Sequence, residues 1–335
     1  MHCNLRKLLG NDDFGNAVRR NYFLRADTVL YCDGGSALRV DAAYAEIVAR
    51  LYPEAVLVST KRLTGGVSAD VFQLDLQFAD GEPCAVVLRI HGESHSGHPA
   101  KVEYQLLQAL HENDLPVPTP LLVDVSGAII PEPFLVMSFI EGSTEIPEPQ
   151  MFEYIDSMAA MLVRIHSAPT KNLPGLPLRL DPLPEVFEFL PEGDEWTELH
   201  GYLQSRNKQP YTDEPQLLHG DYWPENLLWQ DGAVAAVLDW EDAAVGDPLS
   251  DVAACRVELR YKFGVPGMQR FTETYAKHRT LDYERLALWQ VYVAAAAQRY
   301  MGDWGLPAER EAHMRLVALA SIREAADDLM AGIDL

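Results

Sequence analysis

A chain of 335 residues, 48% hydrophobic and 23% charged, is long enough to bury a substantial core and has the composition of a globular protein. Its 27 basic against 50 acidic residues leave a net charge of −23, which disfavours nucleic acid and anionic membrane as partners and would attract a cationic one. Cys3, Cys32, Cys84 and Cys255 form no C-x-x-C pair, and no apolar run reaches membrane-spanning length, so a reducing cytoplasmic compartment is expected.

Residues 1–36 mix charges, glycines and isolated aromatics without periodicity, which predicts a loosely attached N-terminal extension. They also lack the continuous apolar stretch of a signal peptide. From Val40 the text becomes regular. DAAYAEIVARLYP carries Ala43, Ile47 and Leu51 at four-residue spacing and predicts a helix stopped by Pro53. Phe72, Leu74, Leu76 and Phe78 alternate with Gln73, Asp75 and Gln77, the period of a strand. Asp80-Gly81 turns the chain, and residues 85–90 return as a second strand. Pro99 opens a helix with Val102, Leu106 and Leu110 on one face, and PLLVDV and PFLVMSFIEG supply two more strands.

Beyond Gly142 the period changes. Ile155, Met158, Leu162 and Ile165 form one helical stripe, and residues 169–215, rich in Pro, Asp and Glu, read as irregular. Helices are expected over residues 251–263, 268–279, 282–301 and 308–330. The organisation is therefore α+β in two lobes: residues 37–140, an antiparallel sheet with one key helix, and residues 141–335, larger and mainly helical.

The segment LLHGDYWPENLLWQDGAVAAVLDWEDA, residues 217–243, concentrates the chemistry. Its two apolar runs are joined by Asp231-Gly232 and should pair as a tight hairpin. That pairing brings Asn226, just before the first strand, beside Asp239, just after the second. An amide oxygen and a carboxylate side by side are hard ligands suited to Mg²⁺ with phosphate. Asp221, on the preceding loop, is placed to accept a proton from an attacking hydroxyl. The H-x-D-x-x-x-x-N spacing followed by a second Asp is the arrangement of phosphoryl transfer in kinases. Turn preference explains each Asp singly, but not the spacing, the hairpin and the second Asp together.

HGDYWPENLLW followed by VLDWEDAAVGDPLSDVA resembles the aminoglycoside phosphotransferase family, the kinase-like group that also contains choline, homoserine, fructosamine and macrolide kinases. The resemblance runs from about residue 60 to the C-terminus. It implies a protein-kinase-like two-lobe fold, Asp221 as catalytic base, and Mg²⁺ on Asn226 and Asp239. It also implies that Asp251, in the GDPLSD run, braces the catalytic loop and that His219 packs and orients it.

A kinase fold further needs a glycine-containing hairpin over the phosphates, a cation on the third strand and a helix acid to hold that cation. Gly65, Gly66 and Ser68 match the first, Arg89 stands where a Lys is usual, and Glu103 on the next helix is its expected partner. Backbone groups of Ser138, Phe139 and Ile140, in the linker between lobes, are expected at the adenine of ATP. Gly220 and Trp223 replace the Arg and Lys of protein kinases, and the run from Asp239 to GDPLSD leaves no room for an activation loop. Both departures point to a small-molecule kinase acting on a hydroxyl of an aminoglycoside-like, amino-alcohol or sugar acceptor.

For a cationic acceptor, Glu188 and Glu192 in the acidic stretch 185–195 are candidate contacts, with Trp240 and Glu241 beside the catalytic loop. A solvated acidic surface explains the same glutamates equally well, and tryptophans of a helical lobe serve either as core or as stacking walls. The alternative activity class is a non-catalytic nucleotide-binding pseudokinase. It would need a damaged base or metal site, whereas Asp221, Asn226 and Asp239 are all present.

Overall fold

The computed structural model describes residues 34–63, 69–92, 95, 97–183, 185–206 and 210–331, with side chains from Ala42 onward. Gly65, Gly66 and Ser68 lie outside the described residues. Helix α1 (Gly34–Leu51) leads into β1 (Ala55–Leu63), β2 (Asp70–Phe78) and β3 (Pro83–Ile90). Helix α2 (Ala100–Glu112), β4 (Pro120–Asp124) and β5 (Phe134–Ser138) follow. The five strands form one antiparallel sheet in the order β1-β2-β3-β5-β4. α1 starts at Gly34, ahead of the expected start near Asp41, because nothing between Ser36 and Val40 breaks a helix.

Strand alternation sorts β5 between two cores. Phe134 and Val136 join Tyr44, Ile47 and Val48 of α1 on one face of the sheet. Leu135 and Met137 face the other way, onto Leu106, Leu107 and Leu110 of α2 and the main core. The sheet is thus sandwiched between one helix of its own and the rest of the molecule.

The remainder is mostly helical: α3 (Met151–His166), the short α4 (Thr197–Ser205), α5 (Leu249–Ala276), α6 (Tyr283–Tyr300) and α7 (Ala308–Ala331). α5 is interrupted at Gly264, whose φ of 69° is not helical, two residues before Pro266, so the span consists of two helices meeting at a kink, as the sequence leads one to expect. Between the helices lie β6 (Leu178–Arg179), β7 (Gln216–Leu218) and β10 (Ala244–Gly246) as a small sheet, and β8 (Leu227–Gln230) with β9 (Ala233–Val237) as a hairpin. No helix among the described residues is long and apolar enough to cross a membrane.

The hairpin is fastened to the linker that leaves the large sheet. Ser143 and Trp229 exchange backbone hydrogen bonds of 2.9 and 2.8 Å, and Val237 N–H donates to Pro116 O at 2.7 Å. The residues at the ends of the hairpin therefore sit at the junction of sheet and helices.

Candidate active site

Asp231 and Gly232 both take positive φ, 51° and 79°, so β8 and β9 are joined by the two-residue turn whose twist suits a hairpin. Pairing carries one step past the strands, with Leu238 N–H donating to Asn226 O at 2.8 Å. The Asn226 amide nitrogen donates to the Asp221 backbone oxygen at 2.8 Å and to its Oδ2 at 2.9 Å. Both donors of that amide are committed to Asp221, which turns the amide oxygen away from it. Asp239 takes φ 59°, a left-handed conformation that Asp tolerates better than most residues. That backbone turn ends the strand and presents the carboxylate at the mouth of the hairpin.

Two buried side chains shape the loop before Asn226. His219, fully buried, accepts the Asp221 N–H at Nδ1 (3.2 Å) and donates from Nε2 to Leu238 O (2.9 Å). One imidazole thus links the Asp221 loop to the strand end that carries Asp239. Asp251, at the start of α5, accepts His219 N–H at 2.7 Å and Gly220 N–H at 3.1 Å, and its Oδ2 lies 3.2 Å from His166 Nε2. Burial pushes the Asp251 pKa up, but the hydrogen bond and charge of His166, with Arg179 and His219, outweigh it and hold the carboxyl below its usual value.

Gly220 explains itself sterically. It sits at φ 85°, and a Cβ there would lie 2.0 Å from Asp242 O. Gly220→Ala is expected to cost roughly 2–5 kcal/mol from left-handed strain plus overpacking. A urea midpoint within experimental error of the wild type would refute that reading of the turn.

Opposite the hairpin, Arg89 on β3 is buried among three carboxylates. Its Nε lies 3.5 Å from Glu103 Oε2, its Nη2 donates to Asp239 Oδ1 at 3.2 Å, and it forms an ion pair with Glu241. Burial would lower the Arg89 pKa, but Glu103, Glu241 and Asp239 together raise it, so the guanidinium stays charged. Burial likewise pushes Glu103 up, while Arg89 and the hydrogen bond and charge of His91 pull it below the ordinary carboxylate value. One guanidinium against two buried acids and the partly exposed Asp239 leaves negative charge that a further cation would balance.

Among the described residues no cluster of three or more His, Cys, Asp and Glu side chains forms a metal cage. Mg²⁺ does not require one, since it keeps waters and substrate phosphates as ligands and uses one or two protein oxygens. The Asn226 amide oxygen and the Asp239 carboxylate fit that pattern.

These groups close one end of a cleft of about 340 Å³. Its walls are apolar, with Val71, Val87, Leu107 and Met137, and its polar end is made by Arg89, Glu103, Asn226 and Asp239. Ser138, Phe139 and Ile140 also line it. The N–H of Ser138 donates to Thr119 O at 2.9 Å and that of Phe139 approaches Ala85 O at 3.4 Å. An apolar cleft beside the linker backbone, ending in carboxylates and a cation, suits a purine and its phosphates.

Two expected acceptor contacts require correction. Trp240 borders the cleft but is 1% exposed; its ring lies 4.6 Å from that of His219 and its indole N–H donates to Val237 O, so it is packing beneath the Asp221 loop rather than an acceptor contact. Glu241 is 2% exposed and committed to Arg89, an ion-pair role rather than an acceptor contact. Glu188 and Glu192 are exposed and line none of the cavities described for this chain. Sequence reasoning also missed the buried Arg179, whose Nη1 approaches Gly220 O at 3.4 Å, and the stacked pair His91 and His95, ring centroids 3.9 Å apart, beside Glu103 and Glu241. Neither sits at a motif spacing that would have marked it.

A small antiparallel sheet set against a helical body, with a nucleotide-sized cleft between them, defines a protein-kinase-like two-lobe fold. The chain belongs to the phosphotransferase enzyme family, which it matches over residues 59–289. It is 29% identical over 210 residues to the aminoglycoside 3′-phosphotransferase of Streptomyces fradiae, covering 56% of this chain and 76% of that one. It is also 29% identical over 181 residues to acyl-CoA dehydrogenase family member 10 of Mus musculus, covering 47% of this chain but only 16% of that much longer relative. The solved aminoglycoside phosphotransferase APH(4)-Ia, a thermostable mutant in ternary complex with AMP-PNP and hygromycin B, superimposes with a TM-score of 0.58 at 15% identity, covering 85% of this chain and 99% of that one.

Proposed function

We propose that this chain is an ATP-dependent small-molecule kinase that transfers the γ-phosphoryl group to an acceptor hydroxyl. The observation that carries the reading is the hairpin geometry: Asn226 is bonded to Asp221 on one side, and Asp239 faces Arg89 on the other. The nucleotide lies between a lobe of residues 37–140 and a lobe of residues 141–335. Adenine rests in the apolar part of the cleft. The Ile140 N–H is its backbone donor, since the neighbouring N–H groups of Ser138 and Phe139 have partners. The ATP analogue bound by APH(4)-Ia supports ATP as donor.

Mg²⁺ held by Asn226 and Asp239 would neutralise phosphate charge. Arg89, steadied by Glu103, grips phosphate oxygens through its forked donors. The acceptor oxygen attacks the γ-phosphorus as the bond to the β–γ bridging oxygen breaks, and ADP departs with that electron pair. The hydroxyl proton passes to the Asp221 carboxylate, whose orientation the Asn226 amide fixes. His219 and Asp251 act on this chemistry only by holding the loop.

The experiment is ADP release from Mg·ATP across a panel of aminoglycosides, macrolides, choline, amino sugars, homoserine and hydroxy acids. Acceptor-dependent release supports the reading. Tight Mg·ATP binding with no release on any acceptor would sink it in favour of a nucleotide-binding module.

A further inference from the structure

A second cavity, of about 110 Å³, lies against the same loop. Trp223, Pro224 and Glu225 wall it, and Glu225 also lines the nucleotide cleft. The other walls come from α5 and α7: Glu258, Tyr261 and Lys262 from the first, Arg310, His313 and Met314 from the second. The volume is a few times the ~30 Å³ share of a water molecule, enough for the functional end of a small acceptor.

The charge of this cavity departs from that of the chain. Overall, acidic residues outnumber basic ones 50 to 27. Here Lys262 and Arg310, with His313 beside them, share the walls with only two glutamates, so basic and acidic groups are matched. Lys262 donates to Glu225, but an ammonium carries three donors and a guanidinium five, so each serves more than one oxygen. The Lys262–Glu225 pair is about one-third exposed and of a kind worth only ~0–1 kcal/mol, so an incoming anion can share it.

Two polar atoms at the same wall are buried and lack a hydrogen-bond partner among the described residues: the Tyr261 hydroxyl and Glu225 Oε2. Burial pushes the Tyr261 pKa well up, so its O–H remains a neutral donor. Buried polar atoms of this sort normally find a partner, and a ligand is one way to supply it. Donors from Arg310, Lys262 and Tyr261 match an anion, and an orphaned carboxylate oxygen beside the catalytic loop matches a hydroxyl. A polycationic aminoglycoside would meet like charge at Lys262 and Arg310 as well as opposite charge at Glu225 and Glu258, so the cavity offers it no net attraction.

We propose that this cavity receives the acceptor, and that the acceptor is a small hydroxylated carboxylate whose anionic end docks on Arg310, Lys262 and Tyr261. The inference rests on the kinase reading above and replaces the cationic acceptor expected from the sequence with an anionic one.

The test is Mg·ATP-dependent ADP release with acceptors matched in size and different in charge: glycerate, glycerol and 3-amino-1,2-propanediol, together with longer hydroxy acids, the corresponding diols and amino alcohols, and kanamycin. Hydroxy acids should be preferred within each set. Arg310→Gln should then raise the KM of the best acceptor about tenfold, the scale of a lost hydrogen bond to a charged group, with kcat and Mg·ADP affinity unchanged. Glu258→Gln, which removes a competing carboxylate, should lower that KM. Preference for diols or amino alcohols, or a KM indifferent to both variants, overturns the anionic acceptor while leaving the kinase standing. Silence on every acceptor with Mg·ATP bound would overturn both.

Discussion

Asp221→Asn is expected to lower kcat by roughly 10²–10⁴-fold, the usual contribution of a general base, while melting temperature and nucleotide affinity stay at wild-type values. The geometry separates these effects. The Asp221 main chain is fixed by His219 Nδ1, and its carboxylate is oriented by the Asn226 amide at 2.9 Å. An Asn at 221 keeps that bond by turning its own oxygen toward Asn226, so the loop is retained. Its amide nitrogen then faces the acceptor, offering a hydroxyl a donor where it needs a proton acceptor. Positioning of the two substrates, worth ~7–11 kcal/mol in such reactions, remains, and a slow residual rate should too. The KM for ATP should not move, because Asp221 does not line the nucleotide cleft. ADP release and Mg·ADP titration on the same preparation separate the two quantities. A wild-type kcat in Asp221→Asn would end the assignment of Asp221 as base.

Asp221, Asn226 and Asp239 were legible in the sequence because what joins them is local. A two-residue Asp-Gly turn fixes the register of β8 and β9, and the register places the ends. The helical and strand periods likewise marked the sheet and the long helices, since each element buries one face. Contacts across the fold were not legible in the same way. Arg89 and Glu241 meet over 152 positions, and only the docking of β3 beside the hairpin decides that a buried cation meets that carboxylate. Without that knowledge Glu241 read as an acid open to an acceptor. Trp240 failed for a related reason: a large aromatic beside a catalytic loop serves equally as floor or wall, and its burial against His219 is a tertiary fact. The acceptor cavity joins the loop to two helices 33 and more residues downstream, so the pairing of its Lys262 and Arg310 with the loop appeared in no motif. Composition misled as well, since the chain's net charge of −23 is silent about the sign of one small cavity.

Replacing Asp251 should have the largest effect on stability. Its carboxylate is fully buried and accepts the successive backbone N–H groups of His219 and Gly220, with His166 Nε2 as a third partner. Asp251→Ala strands two backbone donors and one imidazole in the interior, and breaking a buried charged network of this kind costs ~3–5 kcal/mol. Asp251→Asn should be nearly as harmful, because both carboxylate oxygens face backbone donors and the introduced amide nitrogen must oppose one of them. The effect also has a pH signature. The folded-state pKa of Asp251 lies below its ordinary value, so its contribution is fully present above the unfolded value of about 3.9 and is lost as pH falls through the folded one. The gap between wild type and Asp251→Asn in urea unfolding should therefore be constant from pH 7 down to about pH 5. It should narrow below about pH 4, because only the wild type loses stability there through this group. A gap under 1 kcal/mol at neutral pH would remove Asp251 as the brace of the catalytic loop. A large gap that persists unchanged through the acid limb would show that the carboxylate's charge is not what braces it.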